Sequence, residues 1–490
     1  MPVPDDIYKN DVDFTTLALQ YPDFAKKLKP NRQLDFSDPE SVRQLTMSLL
    51  HRDFDLTVDL PEDRLCPPVP NRFNYILFIQ RLLDSTSPDF HDGFDPGRQV
   101  IGLDIGTGSS AIYPLLACRQ RERWLFLATE IDEKNRTSAL KNIAANNLQS
   151  RIKLIDTDPK GKKLIPSAEL ERFNHIDILM TNPPFYTSQA SMSESSSSKS
   201  RPPNSSCTGA PIEMITPGGE VAFVSRLVLE SVHPFLKTRI QWFSAMLGKL
   251  SSVAMIVERL REKGCENHAV AEFVQGQKTR RWCVAWSWMG LRPKNAVARQ
   301  VGTGSGVEKR LLPPLTEATF DIDGQVEDIV PIMDTEMAKL DLMWKYTPST
   351  RSGMLLSREG DVWSRKARRK KVFQQHEHQN QCPDQKTGKK EGDEGEDEEM
   401  KDSTPPPQPR RSNKQCDAVR DGSDPSSESD DGSEPAFVAR ISMSPSPTMA
   451  ATSKRMGTGT RLHIRHLQGY DTVLFESFTG WLKRKISGRR

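Results

Sequence analysis

Residues 99–108, QVIGLDIGTG, decide the fold, because an apolar strand runs there directly into a glycine-rich loop. A helix-like stretch begins near Ala111, and a second apolar strand ends at Glu130. This order of strand, loop, helix and strand is typical of doubly wound sheets, which bind ligands at the carboxyl ends of their strands. Glycine lets a backbone approach a ligand where a β-carbon would clash. The stretch therefore predicts a ligand site at the loop.

The alternation of strands and helices continues outward through residues 96–290, which we predict to form an α/β domain. The pattern favours a doubly wound parallel sheet. The predicted strands are 99–105, 124–129, 151–155, 176–181, 241–247 and 281–288, and the predicted helices are 133–147 and 220–236.

The rest of the chain divides by composition. Residues 1–95 are predicted to be a helical N-terminal segment that binds RNA. Residues 187–217 are rich in Ser and Pro and too polar to pack, so we predict a flexible substrate loop inside the α/β domain. Residues 374–458 have a similar composition and predict a disordered linker. We expect residues 291–373 and 459–490 to form one small α/β module, split by that linker.

The N-terminal segment contains one distinct helix start. Ser37 and Glu40 have the spacing of a capping box, and Pro39 between them suits a first helical turn. We therefore predict a helix that is capped by Ser37 and has Pro39 in its first turn.

Charges lie in opposed blocks, so the formal net charge of +3 hides strong local fields. Residues 361–371 hold six basic residues against one acid, and residues 391–402 hold eight acids against one base. The basic runs 364–371 and 483–490 are typical of RNA contacts or nuclear import signals. We expect a nuclear protein, with the cytoplasm as a second location.

Seven cysteines are scattered along the chain without a C-x-x-C pair. That spacing predicts no zinc site, and the odd count favours a reducing compartment over a disulfide framework. The N-terminal stretch lacks an apolar signal core, and no run approaches the roughly 20 apolar residues of a membrane span. We therefore expect no metal and no membrane partner.

The glycine loop carries residues expected to hold a nucleoside cofactor. Asp104 lies near the end of the first strand, and Gly106 and Gly108 form the loop. Glu130 ends the second strand, where its carboxylate is suited to accept hydrogen bonds from both ribose hydroxyls. With Ala111, the loop also satisfies the relaxed dinucleotide fingerprint. These residues alone leave a dinucleotide and a methyl-donor nucleoside open.

The fourth strand chooses between them. Residues 176–181 run into Asn182-Pro183-Pro184-Phe185. The side-chain oxygen of Asn182 and the backbone oxygen of Pro183 suit the two hydrogens of an adenine amine, which favours a nucleophilic nitrogen aimed at a methyl sulfonium. Proline fixes the turn without adding a donor, and Phe185 offers a flat face to a base that has left its stack. We predict that these four residues are catalytic and that the cofactor is S-adenosylmethionine.

Further short motifs surround these two sites in order along the chain. They are Tyr21–Phe24, Asp38–Glu40, Val69–Tyr75, Ile112–Leu116, Ala128–Glu130, Gly218–Glu220, Arg281–Trp282 and Ala285–Ser287. In this arrangement residues 15–290 resemble the family that methylates adenine of U6 small nuclear RNA, whose bacterial relatives act on large-subunit ribosomal RNA.

The resemblance implies a Rossmann-like class I methyltransferase sheet that methylates the N6 amine of an adenosine in structured RNA, with U6 small nuclear RNA as the expected partner. Arg72 is implied as a clamp on the methionine carboxylate. The family's loop after the third strand falls on Asp156–Lys163, whose residues depart from the family pattern. The family's RNA-binding extension corresponds to the small C-terminal module. The implied cofactor contacts come from Arg72, Gly106, Ser110, Glu130 and Asn182.

Basic residues near the N-terminus and in the substrate loop predict contacts with RNA phosphates, whose affinity falls steeply with salt. Structured RNA presents its shape and backbone, with the target adenine in a loop or bulge. The alternative interpretation is an ordinary solvated charged face. The residues are Lys26, Lys27, Lys29, Arg32, Lys199 and Arg201.

Other functions stay open on the sequence alone. The same turn suits an adenine of ribosomal RNA or DNA, or a protein glutamine, whose amide presents a similar nitrogen. Phe185 favours a base, because the glutamine enzymes generally carry Tyr at that position. An RNA-binding scaffold with slow turnover is the alternative outside enzymes.

Overall fold

The computed structural model describes residues 7–157, 163–192, 209–275, 279–367, 369, 434–446 and 459–488. The chain divides into two compact units, one made of Met1–Val362 with Pro435–Arg490 and the other of Trp363–Glu434. Two β-sheets belong to the first unit. Among the described helices, none is long and apolar enough to cross a membrane.

The first sheet is built around parallel strands. Its eight strands are β1 (Val100–Ile105), β2 (Trp124–Thr129), β3 (Ile152–Leu154), β4 (Ile176–Thr181), β5 (Ile240–Leu247), β6 (His268–Gln275), β7 (Thr279–Trp286) and β8 (Arg299–Gln300). Their order is β3-β2-β1-β4-β5-β7-β6-β8. Strands β1 to β5 pair in parallel, whereas β7 pairs antiparallel with both β5 and β6.

Helices cover both faces of this sheet. They are α1 (Phe14–Gln20), α2 (Pro22–Ala25), α3 (Pro39–Phe54), α4 (Val69–Asp84), α5 (Ile112–Gln120), α6 (Glu133–Ala145), α7 (Ser167–Leu170), α8 (Pro211–Met214), α9 (Gly219–Ser231), α10 (Pro234–Arg239), α11 (Leu250–Glu262) and α12 (Asn295–Ala298). Strand β4 places Ile178 and Met180 in the core shared with α3, α4 and α5, and Leu179 in the core shared with α9 and α11. Burial on both faces is typical of central parallel strands.

The α/β fold is confirmed, with three corrections to its details. The sheet is mixed rather than parallel throughout, because β7 runs antiparallel to its neighbours. Strand β6 and helix α11 were not among the predicted elements. The sheet also extends beyond residue 290, since β8 pairs with β6. Strand β8 has only two residues, which is too short to show a sequence pattern, and its position in the sheet depends on its pairing with β6.

Helix α3 has Pro39 in its first turn as expected, but it begins at Pro39 and its cap is Asp38 rather than Ser37. The Asp38 carboxylate accepts the N–H of Glu40 at 3.3 Å and the N–H of the following residue at 3.0 Å. Ser37 bonds instead to the side chain of Asp35. Asp38 is immediately adjacent to the helix, so its carboxylate reaches the free N–H groups of the first turn.

The second sheet is antiparallel. Its strands are β9 (Glu317–Asp323), β10 (Met343–Thr347), β11 (Ser352–Ser357), β12 (Phe437–Pro445) and β13 (Gly459–Gln468), in the order β10-β11-β12-β13-β9. Helices α13 (Val326–Met337) and α14 (Thr472–Ile486) pack against it. Strand β9 pairs with β13, so the sequence stretches 291–373 and 459–490 share one sheet.

Strand β12 lies inside the stretch 374–458 that the composition predicts to be a linker, and this boundary is wrong. The strand pairs with β11 on one side and β13 on the other. Phe437, Val438 and Ile441 are fully buried. Its partner β11 lies beyond a long polar stretch, so local composition does not reveal the pairing. The linker residues 374–433 and 447–458 lie outside the described residues.

Ion pairs connect the second sheet to the segment between α4 and β1. The Asp92 carboxylate lies 2.9 Å from Lys294 Nζ and 3.5 Å from guanidinium nitrogens of Arg440 and Arg465. The buried Arg465 also donates to the carbonyl of Ser85 at 2.6 Å. Removing one partner of a buried charge leaves the other uncompensated. This cluster therefore fixes where the second sheet docks.

Truncation of Ile441 in β12 tests whether this strand is part of the folded core. We expect Ile441→Ala to lower the free energy of unfolding by about 2–4 kcal/mol, because it leaves a buried cavity. Urea denaturation measures the change. Ser444→Ala, at an exposed position of the same strand, should change it by less than about 0.5 kcal/mol. Equal stabilities of the two variants would show that residues 434–446 are a linker after all.

Candidate active site

The glycine loop between β1 and α5 is shaped by two glycines in left-handed backbone conformations. Gly106 and Gly108 have φ angles of +74° and +67°. The N–H groups of Gly106 and Thr107 donate to the carbonyl of Thr129 at 3.1 and 2.9 Å, which attaches the loop to the end of β2. A β-carbon added at Gly106 would meet no atom within 4 Å. The loop therefore faces open space, as a ligand cradle requires.

Glu130 closes the loop from the end of β2. Its carboxylate accepts hydrogen bonds from the N–H groups of Gly108, Ile131 and Asp132, each at 2.9 Å. A carboxylate has about four acceptor positions. Glu130 therefore has room for about one ribose hydroxyl, rather than the two expected from the sequence.

Asp104 lies beneath the loop and is fully buried. Neither of its carboxylate oxygens has a hydrogen-bond partner among the described residues. Burial raises the pKa of Asp104 to about 7, although the Thr107 hydroxyl and the Arg72 guanidinium act in the opposite direction. Because an unpaired buried carboxyl is costly, this group is suited to receive donors from a ligand.

Arg72 reaches the same region from α4. Its side chain is buried, with Nη1 3.4 Å from Met246 Sδ and Cζ 5.6 Å from the centroid of the Tyr113 ring. In the described part of the chain, no carboxylate oxygen lies within 4 Å of its nitrogens. A buried guanidinium without a paired anion is suited to an anionic ligand group. Ser110, just before α5, is buried as well.

The turn Asn182–Phe185 leaves β4 beside the glycine loop. Strand β4 pairs in parallel with β1, with Thr181 opposite Ile105, and the Thr181 hydroxyl donates to the Ile105 carbonyl at 2.9 Å. The carboxyl ends of the two strands therefore meet at one level. Asn182 Oδ1 is buried and has no hydrogen-bond partner among the residues that the structure describes. The structure thus brings the turn and the loop together.

The rest of the turn frames a half-buried aromatic ring. Pro183 is buried, while Pro184 and Phe185 are half-buried. The Cζ atom of Arg281 lies 5.7 Å from the centroid of the Phe185 ring. A β-carbon added at Gly248 would lie 3.2 Å from Phe185 Cδ1, so glycine there lets the ring pack closely against the end of β5. Phe185 is therefore held in place from more than one direction.

The lysines predicted to bind RNA near α2 lie at the surface, where each has an acidic neighbour. The ion pairs are Lys26–Asp23 at 2.8 Å, Lys27–Glu40 at 2.6 Å and Lys29–Asp35 at 3.0 Å. Arg32 is exposed, with a φ of 60°. Exposed ion pairs contribute only about 0–1 kcal/mol each, so phosphates can compete with these carboxylates. Lys199, Arg201 and most of Asp156–Lys163 lie outside the described residues.

Sequence reasoning missed Glu213, which lies on α8 inside the stretch 187–217. Its carboxylate accepts the N–H of Leu65 at 2.9 Å and the Asn135 Nδ2 at 3.2 Å. Its Oε1 lies 4.0 Å from the position that a β-carbon on Gly108 would take. The described end of the predicted flexible loop is thus a helical wall of the pocket, which corrects that prediction. A single acid in a polar tract gives no signal of this contact.

A comparison with protein families identifies the chain. A family model described as RNA methyltransferase matches residues 3–290, which is more than half of the chain. The chain belongs to this RNA methyltransferase family.

Relatives of this RNA methyltransferase share its sequence and its fold. The U6 small nuclear RNA (adenine-(43)-N(6))-methyltransferase of Schizosaccharomyces pombe is 38% identical over 347 residues, 69% of this chain and 83% of that protein. The Homo sapiens RNA N(6)-adenosine-methyltransferase METTL16 is 40% identical over 282 residues, 56% of this chain and 48% of that protein. This chain thus spans about half the length of the human relative.

A solved structure agrees with the class I methyltransferase fold. The hMettl16 catalytic domain in complex with MAT2A 3'UTR hairpin 1 has a TM-score of 0.51 and is 39% identical, covering 59% of this chain and 96% of that chain. The Rossmann-like α/β fold predicted from the sequence is therefore confirmed.

The pocket fits S-adenosylmethionine, the cofactor predicted from the sequence. Arg72 offers an unpaired buried cation for its carboxylate. Asp104, Asn182 and Glu130 offer acceptors for its amino and hydroxyl groups. The open space beside Gly106 lets the backbone approach the ligand. Buried polar groups without partners match the polar groups of such a cofactor.

The buried carboxyl of Asp104 gives a pH signature in the ligand-free protein. Because its pKa rises from 3.8 to about 7, the folded protein retains a proton that the unfolded chain releases between these values. Stability is therefore lost as the pH rises. We expect the wild-type free energy of unfolding to fall, relative to that of Asp104→Asn, by about 1.4 kcal/mol per pH unit in this range.

Urea denaturation at a series of pH values measures this slope. Asp89→Asn, at an exposed position after α4, is the matched control and should leave the slope unchanged. Parallel profiles for the wild type and Asp104→Asn would mean that Asp104 is already ionised in the folded protein.

Proposed function

We propose that this protein transfers a methyl group from S-adenosylmethionine to the N6 amine of an adenosine in structured RNA, with U6 small nuclear RNA as its substrate. The observation that carries the proposal is the buried, unpartnered Oδ1 of Asn182 at the strand end beside the glycine loop. An open acceptor there matches an amine presented to the cofactor. The Schizosaccharomyces pombe relative is named for U6, and the solved catalytic domain holds an RNA hairpin.

Asn182 and Pro183 prepare the amine. The nitrogen lone pair of adenine is delocalised into the ring, and two acceptors on its hydrogens favour a more pyramidal, more nucleophilic nitrogen. The same contacts aim the nitrogen along the transfer axis. When bound, S-adenosylmethionine supplies an electrophilic methyl group. The amine loses its extra proton after transfer, so a strong general base is not required.

Phe185 holds the purine that the amine belongs to. The target base leaves its stack to enter the pocket, which is easiest from a loop or bulge. Stacking on an aromatic ring contributes about 1–3 kcal/mol. The Arg281 guanidinium lies near this ring, and such a contact adds a further attraction that keeps the ring in position.

Basic surface outside the pocket supports RNA binding. The last turn of α14 contains Lys483, Arg484 and Lys485. This helix packs on the second sheet, which corresponds in sequence to the family's RNA-binding extension. We infer that this surface and the lysines near α2 contact RNA phosphates. A small nuclear RNA substrate favours a nuclear location, with the cytoplasm as the alternative.

Replacement of Asn182 tests the mechanism. We expect Asn182→Ala to lower kcat by at least about 100-fold, because it removes an acceptor that acts on the reacting amine. The assay measures methyl transfer to a U6 hairpin at saturating cofactor, and filter binding measures RNA affinity, which should stay within about three-fold since phosphate contacts dominate it.

Asn174→Ala is the matched control. Asn174 is exposed two residues before β4 begins, at the opposite end of the same strand. This variant should transfer methyl groups at the wild-type rate. Full activity of Asn182→Ala would show that the amine is held by other groups.

Competition between substrates separates this proposal from its alternatives. With equal concentrations of U6 hairpin, ribosomal RNA hairpin, single-stranded DNA and a glutamine-bearing release factor, we expect the labelled methyl group on N6 of adenosine in the U6 hairpin. Phe185→Tyr should still methylate the U6 hairpin in preference to the other three substrates, because the shape of the pocket and the contacts with RNA select the base. Label on DNA or glutamine would reject RNA as the substrate, and RNA binding without any transfer would favour a scaffold.

A further inference from the structure

The end of the substrate loop that returns to α9 is bonded to the catalytic turn. We call residues 209–217 the returning segment. The N–H of Thr216 donates to the carbonyl of Tyr186, and the N–H of Tyr186 donates to the carbonyl of Met214, both at 3.0 Å. Tyr186 follows Phe185 directly. A displacement of the returning segment therefore pulls on the turn that holds the amine.

Glu213 attaches this returning segment to the cofactor side of the pocket. Its Oε2 accepts the N–H of Leu65 at 2.9 Å and the N–H of Ala210 at 2.8 Å, and its Oε1 accepts Asn135 Nδ2 at 3.2 Å. One carboxylate thus joins the chain before α4, the first turn of α6 and its own helix. Burial raises the pKa of Glu213. No other contact described in the pocket joins these three elements.

The contact of Glu213 with Asn135 continues to the carboxylate of Glu130. Arg64 Nε donates to Asn135 Oδ1 at 2.7 Å, and Arg64 Nη2 donates to Asp132 Oδ1 at 3.0 Å. The N–H of Asp132 donates to Glu130 Oε1 at 2.9 Å. A continuous chain of residues joined by hydrogen bonds therefore connects the carboxylate of Glu213 to the carboxylate of Glu130.

Glu213 and Glu130 also approach each other across the glycine loop. Glu213 Oε1 lies 4.0 Å from the position of a β-carbon on Gly108, whose N–H bonds to Glu130 Oε2 at 2.9 Å. Burial raises the pKa of Glu130, and the Glu213 charge adds to this effect. Glu130 is buried and Glu213 is half-buried, and like charges in such positions repel each other unless hydrogen-bond donors stabilise them. A cofactor hydroxyl that donates to Glu130 would stabilise its charge and weaken this repulsion, so a filled pocket favours this position of the returning segment.

We propose that Glu213 is a positioning residue that couples cofactor occupancy to the placement of the catalytic turn. With the pocket filled, Glu213 keeps the returning segment in contact with Leu65 and Asn135, and the segment keeps Tyr186 and the preceding turn in place. The effect on methyl transfer rests on the proposed function, whereas the coupling concerns cofactor binding alone. Such coupling is reciprocal, so RNA that seats the segment also tightens cofactor binding.

Hydrogen exchange with S-adenosylhomocysteine as the probe tests the coupling without any methyl transfer. We expect the probe to slow exchange of the amides of Leu65, Ala210 and Thr216 in the wild-type protein, by about ten-fold. In Glu213→Ala this response should disappear although the protein still binds the probe. Glu133→Ala removes the same charge from an exposed position on the first turn of α6 and should respond like the wild type.

Turnover then separates positioning from stability. At saturating cofactor and saturating RNA, we expect Glu213→Ala to lower kcat for the U6 hairpin by about 10- to 100-fold with Tm nearly unchanged. Glu213→Gln, which retains an acceptor for the Leu65 and Ala210 amides, should lose less activity.

Two results would overturn the coupling. The first is amide exchange in the wild type that does not change when the probe is added. The second, in a wild-type protein that does methylate RNA, is a kcat of Glu213→Ala equal to that of Glu133→Ala. A wild-type protein that shows the exchange response and methylates no RNA would refute the proposed function and leave the coupling supported.

Discussion

The active site depends on one register, the parallel pairing of β1 with β4 that places Ile105 opposite Thr181. Both strands are buried, so a shift by one residue would turn their core side chains to the wrong face. The same register sets the glycine loop and the Asn182 turn at one level. The Thr181 hydroxyl, bonded to the Ile105 carbonyl, reinforces it from within the site.

The parts of the site that follow from local sequence could be predicted. Gly106 and Asn182 each sit directly after an apolar strand, and parallel strands of one sheet end at the same edge. Glu213 could not be predicted in this way. Its role depends on contacts with Leu65 and Asn135, which are 148 and 78 residues away in the chain. A polar tract gives no indication of where its acid will lie.

The fold shows the same division between local and distant information. The six predicted strands of the first sheet carry their apolar patterns themselves, so they were found. The composition around β12 predicts a linker, because its pairing with β11 crosses a long polar stretch and its neighbouring residues are rich in Ser and Pro. Strand β8 likewise can be recognised as part of the first sheet only from its pairing with β6. Pairing across sequence, rather than composition, sets these boundaries.

Two buried arginines differ in their partners: one guanidinium is hydrogen-bonded within the protein, and the other is suited to bind a ligand. Arg292 donates to the carbonyls of Gly469 and Tyr470 at 2.8 and 2.7 Å, so its guanidinium is bound within the protein where the second sheet docks. Arg72 is equally buried, yet its closest contacts are the sulfur of Met246 and the ring of Tyr113, and among the described residues no carboxylate oxygen lies within 4 Å of its nitrogens. A buried charge without an anion destabilises the ligand-free state. The fold tolerates the unpaired guanidinium of Arg72 because an anionic group of a bound ligand compensates its charge. The affinity for the ligand and the lower stability of the empty pocket are therefore two consequences of the same arrangement.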